Sequence, residues 1–360
     1  MIKLDYLEFY ISHTCNFNCR GCNRFNNYLF LGHQRWKEHE HTHAKWAERL
    51  QLDEWGILGG EPTLNPDIIQ WIYGLHKLWP NSKSSIVTNA SFKKRFDSEF
   101  YNALVHTGMR VDIGLHDQNR RAEVTKTVMD FVKHPVIIEE PPTDLNTVEA
   151  LQHSWRNNYN KIKDPSWPAC DSIYDWDKLP TDIKEECANM HDFSREIYES
   201  RFSPVNLTDA NGLKILIALE NYFYDPALIR QQEKNNFTLH NSNPKRAHDI
   251  CMSKYCHHMS DGKISKCGQV DLFPKFSKQF QVELSEQDKT LVNSYQPLTV
   301  DADLEDARKF INSIKEPIAQ CKFCPENYAP KEINSTINKD KFGIRITNGK
   351  QNNENIWSQS

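Results

Sequence analysis

The stretch Cys15-Asn16-Phe17-Asn18-Cys19-Arg20-Gly21-Cys22 places three thiols at C-x3-C-x2-C spacing, directly after an apolar run that ends at Ser12. A [4Fe-4S] cluster held only by protein normally takes four cysteine thiolates. Three local thiolates would therefore leave the fourth iron open to another ligand. An open coordination position is typical of a catalytic metal site, whereas a closed one is typical of a structural site. The stretch predicts an iron–sulfur cluster built for chemistry.

The composition is that of a globular protein. The chain has 360 residues, of which 26% are charged and 11% aromatic, and its formal net charge is -4. This charge gives no indication of a nucleic-acid partner. No apolar run approaches the roughly 20 residues of a membrane helix, and the start, Met1-Ile2-Lys3-Leu4-Asp5, lacks the pattern of a signal peptide. We therefore expect a cytoplasmic protein with no membrane and no nucleic acid among its partners.

Ten cysteines are more than packing requires in a cytoplasmic chain of this length. Clustered cysteines in a reducing compartment are more often metal or redox ligands than disulfide partners. Eight of the ten fall into two groups, one near the start of the chain and one after residue 250. Cys170 and Cys187 stand alone and are predicted to be structural thiols.

Strand-like and helical patterns alternate along the first 140 residues. Strands are predicted at 6–12, 54–58, 84–88, 110–115 and 135–138, with helices at 34–50, from 65 onward, at 92–106 and at about 119–133. The alternation predicts parallel βα units, whose strands all end at one face. The apolar segment 212–224 is predicted to be a sixth strand, with a buried helix as the alternative. The cysteine stretch, residues 59–62 and residues 88–89 each follow a predicted strand and should meet at that face.

The cysteine spacing together with Gly59-Gly60-Glu61-Pro62 after the second strand resembles the radical SAM superfamily, most closely over residues 5–140. The resemblance implies an α/β fold, a partial (β/α)6 TIM-like barrel, in which Cys15, Cys19 and Cys22 bind a [4Fe-4S] cluster. S-adenosylmethionine (SAM) would bind the open iron. Reductive cleavage of SAM would then give a 5′-deoxyadenosyl radical that abstracts a hydrogen atom from the substrate.

The resemblance also implies which residues contact SAM. In the family the Gly59 to Pro62 motif binds the SAM amino group, here through Glu61 or the adjacent backbone, and glycines let the backbone approach. Thr88 and Asn89 lie where members place polar groups near the ribose. Two positions depart from the usual pattern, since Ala90 replaces a glycine and Gly21 replaces an aromatic residue beside the adenine. Asp112 and His116 would face SAM or substrate, although His116 fits a structural histidine equally well.

The second cysteine group resembles the Twitch module, a short form of the SPASM domain that holds one auxiliary iron–sulfur cluster. The resemblance rests on Cys251-x10-Gly262-x4-Cys267 followed by Cys321-x2-Cys324. Asp261-Gly262 also predicts a hairpin turn, which would pair Ser260 with Lys263 and Cys256 with Cys267. The hairpin favours Cys256 as a ligand and the family spacing favours Cys251, so five candidate thiols remain for four positions. A structural zinc site on the same thiols is the alternative.

These patterns predict a radical SAM core at 1–240 with an irregular helical insertion at 142–205. A small β-hairpin/helix iron–sulfur module would follow at 245–328, and a polar tail at 329–360. The expected substrate is a peptide or a small metabolite, and the expected partner is an electron donor such as flavodoxin or ferredoxin. The alternative is a non-catalytic zinc- or iron-binding interaction protein. The tract His39-Glu40-His41-Thr42-His43 is interpreted as a solvated helix face.

Overall fold

The computed structural model describes a large part of the chain. The described residues are 1–17, 19, 22–26, 28, 30–116, 120–133, 136–137, 205–219, 222–223, 228–230, 237–249, 251, 253, 256–326 and 331–332. The predictions for Gly21, Cys170, Cys187, the insertion at 142–205 and most of the tail at 329–360 lie outside them.

The elements alternate between strand and helix up to residue 131, as the sequence predicts. In chain order they are β1 (Ile2–Tyr10), α1 (Trp36–Arg49), β2 (Leu50–Leu58), α2 (Ile68–Leu78), β3 (Lys83–Thr88), α3 (Ser98–Thr107), β4 (Arg110–Leu115), α4 (Arg121–Phe131), β5 (Val136–Ile137), β6 (Val205–Thr208), β7 (Lys214–Leu219), β8 (Tyr222–Phe223), β9 (Leu228–Arg230), β10 (Phe237–Leu239), α5 (Pro244–Asp249), β11 (His257–Ser260), β12 (Lys263–Ser265), α6 (Gly268–Phe280), α7 (Glu286–Ser294), α8 (Leu304–Asn312) and β13 (Lys331–Glu332). Short 3-10 turns lie at Pro62–Leu64, Lys93–Arg95, Ser313–Lys315 and Ala319–Phe323.

Nine of these strands form one open sheet in the order β12-β11-β1-β2-β3-β4-β7-β6-β5. The six central strands from β11 to β7 run parallel. At one edge β12 pairs antiparallel with β11, and at the other edge β6 pairs antiparallel with both β7 and β5. The sheet does not close on itself, which is consistent with a partial TIM-like barrel. All six parallel strands therefore present their carboxyl ends at one face.

The fifth predicted strand, at 135–138, is a strand at Val136–Ile137, but it does not take the expected place as the parallel neighbour of β4. β7 occupies that place, with Ile113 opposite Ile217, whereas β5 is a two-residue antiparallel edge strand. The reason lies in the hydrophobic pattern. Ile215, Leu216 and Ile217 are buried in succession, as a central parallel strand covered on both faces requires. Residues 212–224 are therefore not a buried helix; they contain β7 and β8.

The main hydrophobic core lies between the sheet and helices α1 to α4, with Trp46, Trp55 and Trp71 among its largest fully buried side chains. A second, aromatic core holds α6 against the segment that follows the cysteine stretch, and Phe25 stacks on Phe276 at 4.8 Å between ring centroids. Each fully buried aromatic ring contributes about 1.5–3 kcal/mol or more to folding. The second core therefore fixes α6 beside the cysteine stretch.

The predicted hairpin turn is confirmed. Asp261 and Gly262 both have positive φ, and Ser260 pairs with Lys263. The ladder ends at the pair of His258 with Ser265, two positions short of Cys256 and Cys267, so the predicted pairing of these two cysteines is not formed. The first hairpin strand, β11, pairs in parallel with β1. The cysteine-rich segment thus adds its hairpin to the sheet of the core.

The histidine tract is only partly a solvated helix face. His41 is exposed, but His43 is buried among Phe9, Trp36 and Trp71, with its ring 5.4 Å from that of Trp71. The apolar face of α1 is wider than the sequence pattern suggested, because histidine with a neutral ring can pack as an aromatic side chain. Among the described helices, none has the length and apolar content needed to cross a membrane.

Candidate active site at the carboxyl ends of the strands

The cysteine stretch forms a loop directly after β1. Cys15 and Cys19 are buried and pack with Phe17, and Cys22 packs against the same cluster. Cys22 N donates to Cys19 O at 3.3 Å, and none of the eight described cysteines forms a disulfide. The three thiols predicted to hold the catalytic cluster therefore lie in one packed cluster on this loop, although neither they nor any other three His, Cys, Asp or Glu side chains of the described residues stand in a metal-ligating arrangement. Three soft thiolates on one loop are a donor set that suits iron, with one position left for another ligand.

Residues 59–62 approach the cysteine loop backbone to backbone. Gly60 N donates to Ser12 O at 2.7 Å, and Glu61 N donates to Thr14 O at 2.9 Å. A Cβ at Gly59 would lie 2.7 Å from Ser12 O, and one at Gly60 would lie 2.8 Å from the Cys15 Cβ. From the sequence, we explained the two glycines by a close approach of the backbone to SAM. In the structure they are already required by close approach to the cysteine loop.

Glu61 is fully buried and its carboxylate accepts four hydrogen bonds from the protein. Oε1 accepts from Thr63 N at 3.1 Å, Thr63 Oγ1 at 2.5 Å and Thr88 Oγ1 at 2.6 Å, and Oε2 accepts from Asn89 N at 2.7 Å. Burial raises the pKa of Glu61, and these hydrogen bonds oppose the shift because they favour the carboxylate. The carboxylate thus ties the segment after β2 to the end of β3.

The predicted Thr88-Asn89 pair lies at this same edge. Asn89 Nδ2 lies 3.9 Å from Cys15 Sγ and donates to Asn16 Oδ1 at 3.2 Å. Ala90, where the family usually has glycine, has φ +52°. This is the left-handed region that favours glycine. Ala90 therefore occupies a position whose backbone conformation favours glycine.

His116 follows β4 and lies near the cysteine loop. Its ring centroid is 6.5 Å from that of Phe17, in an edge-to-face arrangement. Phe17 also contacts Arg120, a residue that the sequence did not indicate. The Arg120 guanidinium lies 4.5 Å from the Phe17 ring centroid. An arginine separated by a whole βα unit or more from the motif it touches leaves no local signal in the sequence. Asp112 is engaged elsewhere, since Arg110 Nε donates to its Oδ1 at 2.6 Å.

The second cysteine group lines a separate cavity of about 60 Å³. Its walls include four thiols, those of Cys251, Cys267, Cys321 and Cys324. Cys256, the fifth candidate ligand, is buried but is not among the residues lining this cavity. Within the described part of the chain, no group of three or more His, Cys, Asp or Glu side chains is arranged to hold a metal ion. The thiols surround a space and do not converge on a point.

Three of the four thiols of the second cavity resist ionisation. Burial raises the pKa of Cys267 to about 11, and it also raises the pKa of Cys321 and Cys324. The neighbouring thiols raise the pKa of Cys324 further, because each thiolate disfavours the next. Bound metal displaces these protons, so a metal or cluster would be needed to stabilise four thiolates there.

A buried ion-pair network joins the cysteine loop to the second group. Arg24 Nη2 pairs with Glu8 Oε2 at 2.6 Å, both side chains being 11% exposed, and Arg24 Nη1 lies 3.2 Å from His258 Nδ1. Burial opposes ionisation of Glu8, but Arg24 and His258 outweigh it and hold the pKa of Glu8 below its usual value. A Cβ at Gly268, the residue after Cys267, would overlap Arg24 Nη1. Arg24 thus lies between the two cysteine groups.

Comparison with known proteins agrees with this arrangement. Residues 9–136 match the model of the Radical SAM superfamily. The "Probable GTP 3',8-cyclase" of Saccharolobus solfataricus is 27% identical over 157 residues, which are 40% of this chain and 48% of that protein. The "GTP 3',8-cyclase" of Nautilia profundicola is 30% identical over 121 residues, 31% of this chain and 36% of that protein. The chain thus spans half or less of the length of these relatives.

Two solved structures were also matched. Streptococcus suis SuiB bound to S-adenosylmethionine is 20% identical, with a TM-score of 0.29, over 36% of this chain and 32% of that one. BtrN in complex with AdoMet and 2-DOIA is 16% identical, with a TM-score of 0.27, over 34% of this chain and 51% of that one. The family match covers the segment from β1 to β5, including the three-thiol loop, residues 59–62 and Thr88-Asn89. Residues 9–136 of this chain thus match the radical SAM superfamily, whose members use a [4Fe-4S] cluster and SAM as cofactors.

Proposed function

We propose that this enzyme holds its catalytic [4Fe-4S] cluster on Cys15, Cys19 and Cys22 and uses it to cleave SAM during oxidation of a peptide or small-metabolite substrate. The observation that carries the proposal is the packing of three thiols on one loop at the carboxyl ends of the parallel strands. The fourth iron would be left for SAM, because the loop offers three thiolates for four irons.

The SAM site would be formed by the segments that surround this loop. Gly59, Gly60, Glu61 and Pro62 would face the methionine end, Thr88 and Asn89 the ribose, and His116 the adenine side or the substrate. Glu61 carries four hydrogen bonds from Thr63, Thr88 and Asn89 already. We therefore assign contact with the SAM amino group to the adjacent backbone, and to Glu61 the task of positioning that backbone.

A [4Fe-4S] cluster on Cys15, Cys19 and Cys22, with SAM beside it, would supply one-electron cleavage of SAM and hydrogen-atom abstraction from the substrate. The residues of this chain would bind and orient the cluster and SAM and would protect the reaction from water. Cys15 and Cys19 are 6% and 7% exposed, and Phe17 between them is 2% exposed. Such burial excludes water from the site, which protects a reactive species from side reactions.

We further propose that the segment 245–328 holds an auxiliary [4Fe-4S] cluster on Cys251, Cys267, Cys321 and Cys324. Support comes from the cavity that these four thiols line together and that Cys256 does not line. Four protein thiolates would close the site, which is typical of electron transfer or structure and not of substrate binding. Oxidation of a substrate radical releases one electron, which the second cluster would accept, whereas an electron donor such as flavodoxin or ferredoxin would reduce the first cluster.

A purine nucleotide is the second substrate class. It is favoured by the matches to proteins named as GTP 3',8-cyclases, over less than half of this chain. The two classes can be separated by anaerobic turnover with SAM and a reductant in the presence of GTP. A nucleotide product would support the second class, and 5′-deoxyadenosine without a change in GTP would support the first.

The test is anaerobic reconstitution with iron and sulfide. The proposal expects about eight irons per chain, four for each cluster, and conversion of SAM to 5′-deoxyadenosine that requires reductant. Replacing Cys15, Cys19 and Cys22 with alanine should abolish this conversion and leave about four irons. Stoichiometric zinc without any SAM cleavage after reconstitution would contradict the proposal and support the alternative, a non-catalytic metal-binding interaction protein.

A further inference from the structure

Lys266 is a buried lysine at the wall of the second cysteine cavity. It follows β12 directly, precedes Cys267 and is only 6% exposed. Its Nζ donates to Ser313 O at 2.5 Å and also to Glu316 O, both in the turn that follows α8. These two carbonyls hold the end of the side chain in place. The ammonium group is therefore fixed and not mobile as it is on a surface lysine.

The carboxylate partner that a buried ammonium usually has is missing at this position. Within the described residues, no carboxylate oxygen lies within 4 Å of Lys266 Nζ, although Glu316 is near enough to influence it. The partly buried cations Arg24 and Lys275 differ, since carboxylates lie 2.6 Å and 2.8 Å from them. A buried charge without a partner is costly, by several kcal/mol in general. Lys266 lines the same cavity as the four thiols, and His257 is a further titratable group that it influences.

Those thiols are the ones that line the cavity. Burial lowers the pKa of Lys266, and Cys321, Cys267 and Cys251, which line the cavity with it, would oppose that shift when ionised. An auxiliary cluster with four cysteine thiolates carries net negative charge, and reduction adds one more negative charge. A fixed cation at the wall stabilises the reduced form more than the oxidised form, because the attraction grows with the charge on the cluster.

We propose that Lys266 is the charge partner of the four-thiolate site and raises the reduction potential of the cluster bound there. This inference rests on the auxiliary cluster proposed above. It adds a role for a residue that carries no recognisable motif. Lys266 does not touch a substrate, so it is a positioning and charge-compensating residue.

The test uses the full chain with Cys15, Cys19 and Cys22 replaced by alanine, so that the second cluster alone is observed. Lys266→Met removes the charge, Lys266→Arg keeps it, and Lys263→Met removes an exposed charge from the same hairpin as a matched control. The reduction potential is measured by an anaerobic redox titration followed by electron paramagnetic resonance. Lys266→Met should disfavour reduction at least tenfold, about 59 mV for one electron. The other two variants should stay within twofold of the parent.

Binding of Co²⁺ to the metal-free chain provides a second measurement that does not require cluster assembly. A tetrathiolate Co²⁺ site is also anionic, so Lys266→Met should weaken Co²⁺ binding at least tenfold while Lys263→Met leaves it unchanged. This measurement decides the question if Lys266→Met fails to retain iron. Equal potentials and equal Co²⁺ affinities for Lys266→Met and Lys263→Met would overturn the role of Lys266.

Failure of the auxiliary cluster itself would give a different result. A parent chain that binds Co²⁺ but no iron–sulfur cluster would contradict the cluster, while the cobalt titration would still test Lys266. A parent chain that binds neither would overturn both proposals. If Lys266 had a purely structural role and only held the turn at 313–316, the reduction potential of the second cluster would fall equally in Lys266→Met and in Lys266→Arg.

Discussion

The backbone N–H of Asn89 donates to Glu61 Oε2 at 2.7 Å, which joins the end of β3 to the segment after β2. Glu61 is in turn bound through its own N–H to Thr14 O in the cysteine loop. One buried residue therefore connects three segments that are separated in sequence. The relative positions of the thiols and the neighbouring polar groups depend on this residue before any cofactor binds.

Glu61→Gln should disturb the site and leave the rest of the fold largely intact. The amide keeps the shape of the carboxylate, but its NH2 group would face donors from Thr88 or Asn89 and leave them unsatisfied. We expect a loss of about 1–3 kcal/mol in the free energy of unfolding and at least a tenfold fall in SAM cleavage. Urea titration and anaerobic turnover measure these effects. Glu40→Gln, on an exposed position of α1, is the matched control and should change neither.

Gly60→Ala should separate the segment at 59–62 from the cysteine loop. The added Cβ would lie 2.7 Å from the Thr14 carbonyl carbon and 2.8 Å from the Cys15 Cβ, so one backbone segment has to move. We expect SAM cleavage to fall at least tenfold in this variant. Gly108→Ala is the control, because its φ of +66° costs about 1 kcal/mol of stability but its Cβ would contact nothing within 4 Å. Equal activity of the two variants would show that close approach is not needed.

The sequence was sufficient to predict the elements from β1 to β4 because each is a local pattern. Strand 110–115 was predicted with its observed bounds, and the cysteine loop and residues 59–62 were placed at the correct strand ends. The place of β7 beside β4 could not be predicted, since which strands neighbour each other is a property of the whole sheet. The strand after β4 in the chain, β5, lies at the far edge.

The roles of single side chains were harder to predict than the elements. The sequence singled out the glycines at 59–60 for contact with SAM, but the close contact that the structure shows is with Ser12 and Thr14, and no local pattern reveals this. Arg24 and His258 are 234 residues apart in the sequence and 3.2 Å apart in the fold. Such pairs follow from tertiary packing alone, which a single sequence does not reveal.

Arg24→Met should destabilise the chain through the network between the two cysteine groups. Removing one partner of a buried ion pair leaves Glu8 with an uncompensated charge, at a cost of about 3–5 kcal/mol in the free energy of unfolding. The double variant Arg24→Met with Glu8→Leu should cost less than the sum of the single changes, because no charge is then stranded. Lys3→Met removes the exposed pair with Asp53 and should have no measurable effect. Additive single and double effects would show that the pair is not coupled.

Acid should destabilise the fold partly through His43. Burial, aided by His39, lowers the pKa of His43 to about 3, from an ordinary value of 6.5. The unfolded chain therefore takes up the proton first, so the contribution of His43 is present in full above pH 6.5 and is lost as the pH falls toward 3. The loss is up to about 1.4 kcal/mol for each pH unit.

His43→Phe tests this directly. The ring would still pack among Phe9, Trp36 and Trp71 but could not take up a proton, so the free energy of unfolding should fall less steeply between pH 6.5 and pH 5 than in the parent chain. His41→Gln, at an exposed position two residues away, should keep the parent slope. Parallel slopes for parent and His43→Phe would show that His43 does not contribute to acid sensitivity.

Iron content should distinguish Cys251 from Cys256 as a ligand of the second cluster. Cys251 lines the cavity with Cys267, Cys321 and Cys324, and Cys256 does not. Cys251→Ala should therefore reduce bound iron from about eight per chain toward about four, while Cys256→Ala should retain about eight. Both variants should keep the first cluster, because neither thiol lies in the loop that binds it. The opposite result, loss of iron only in Cys256→Ala, would mean that the hairpin presents the ligand and that the cavity between Cys251 and Cys324 is not the cluster site.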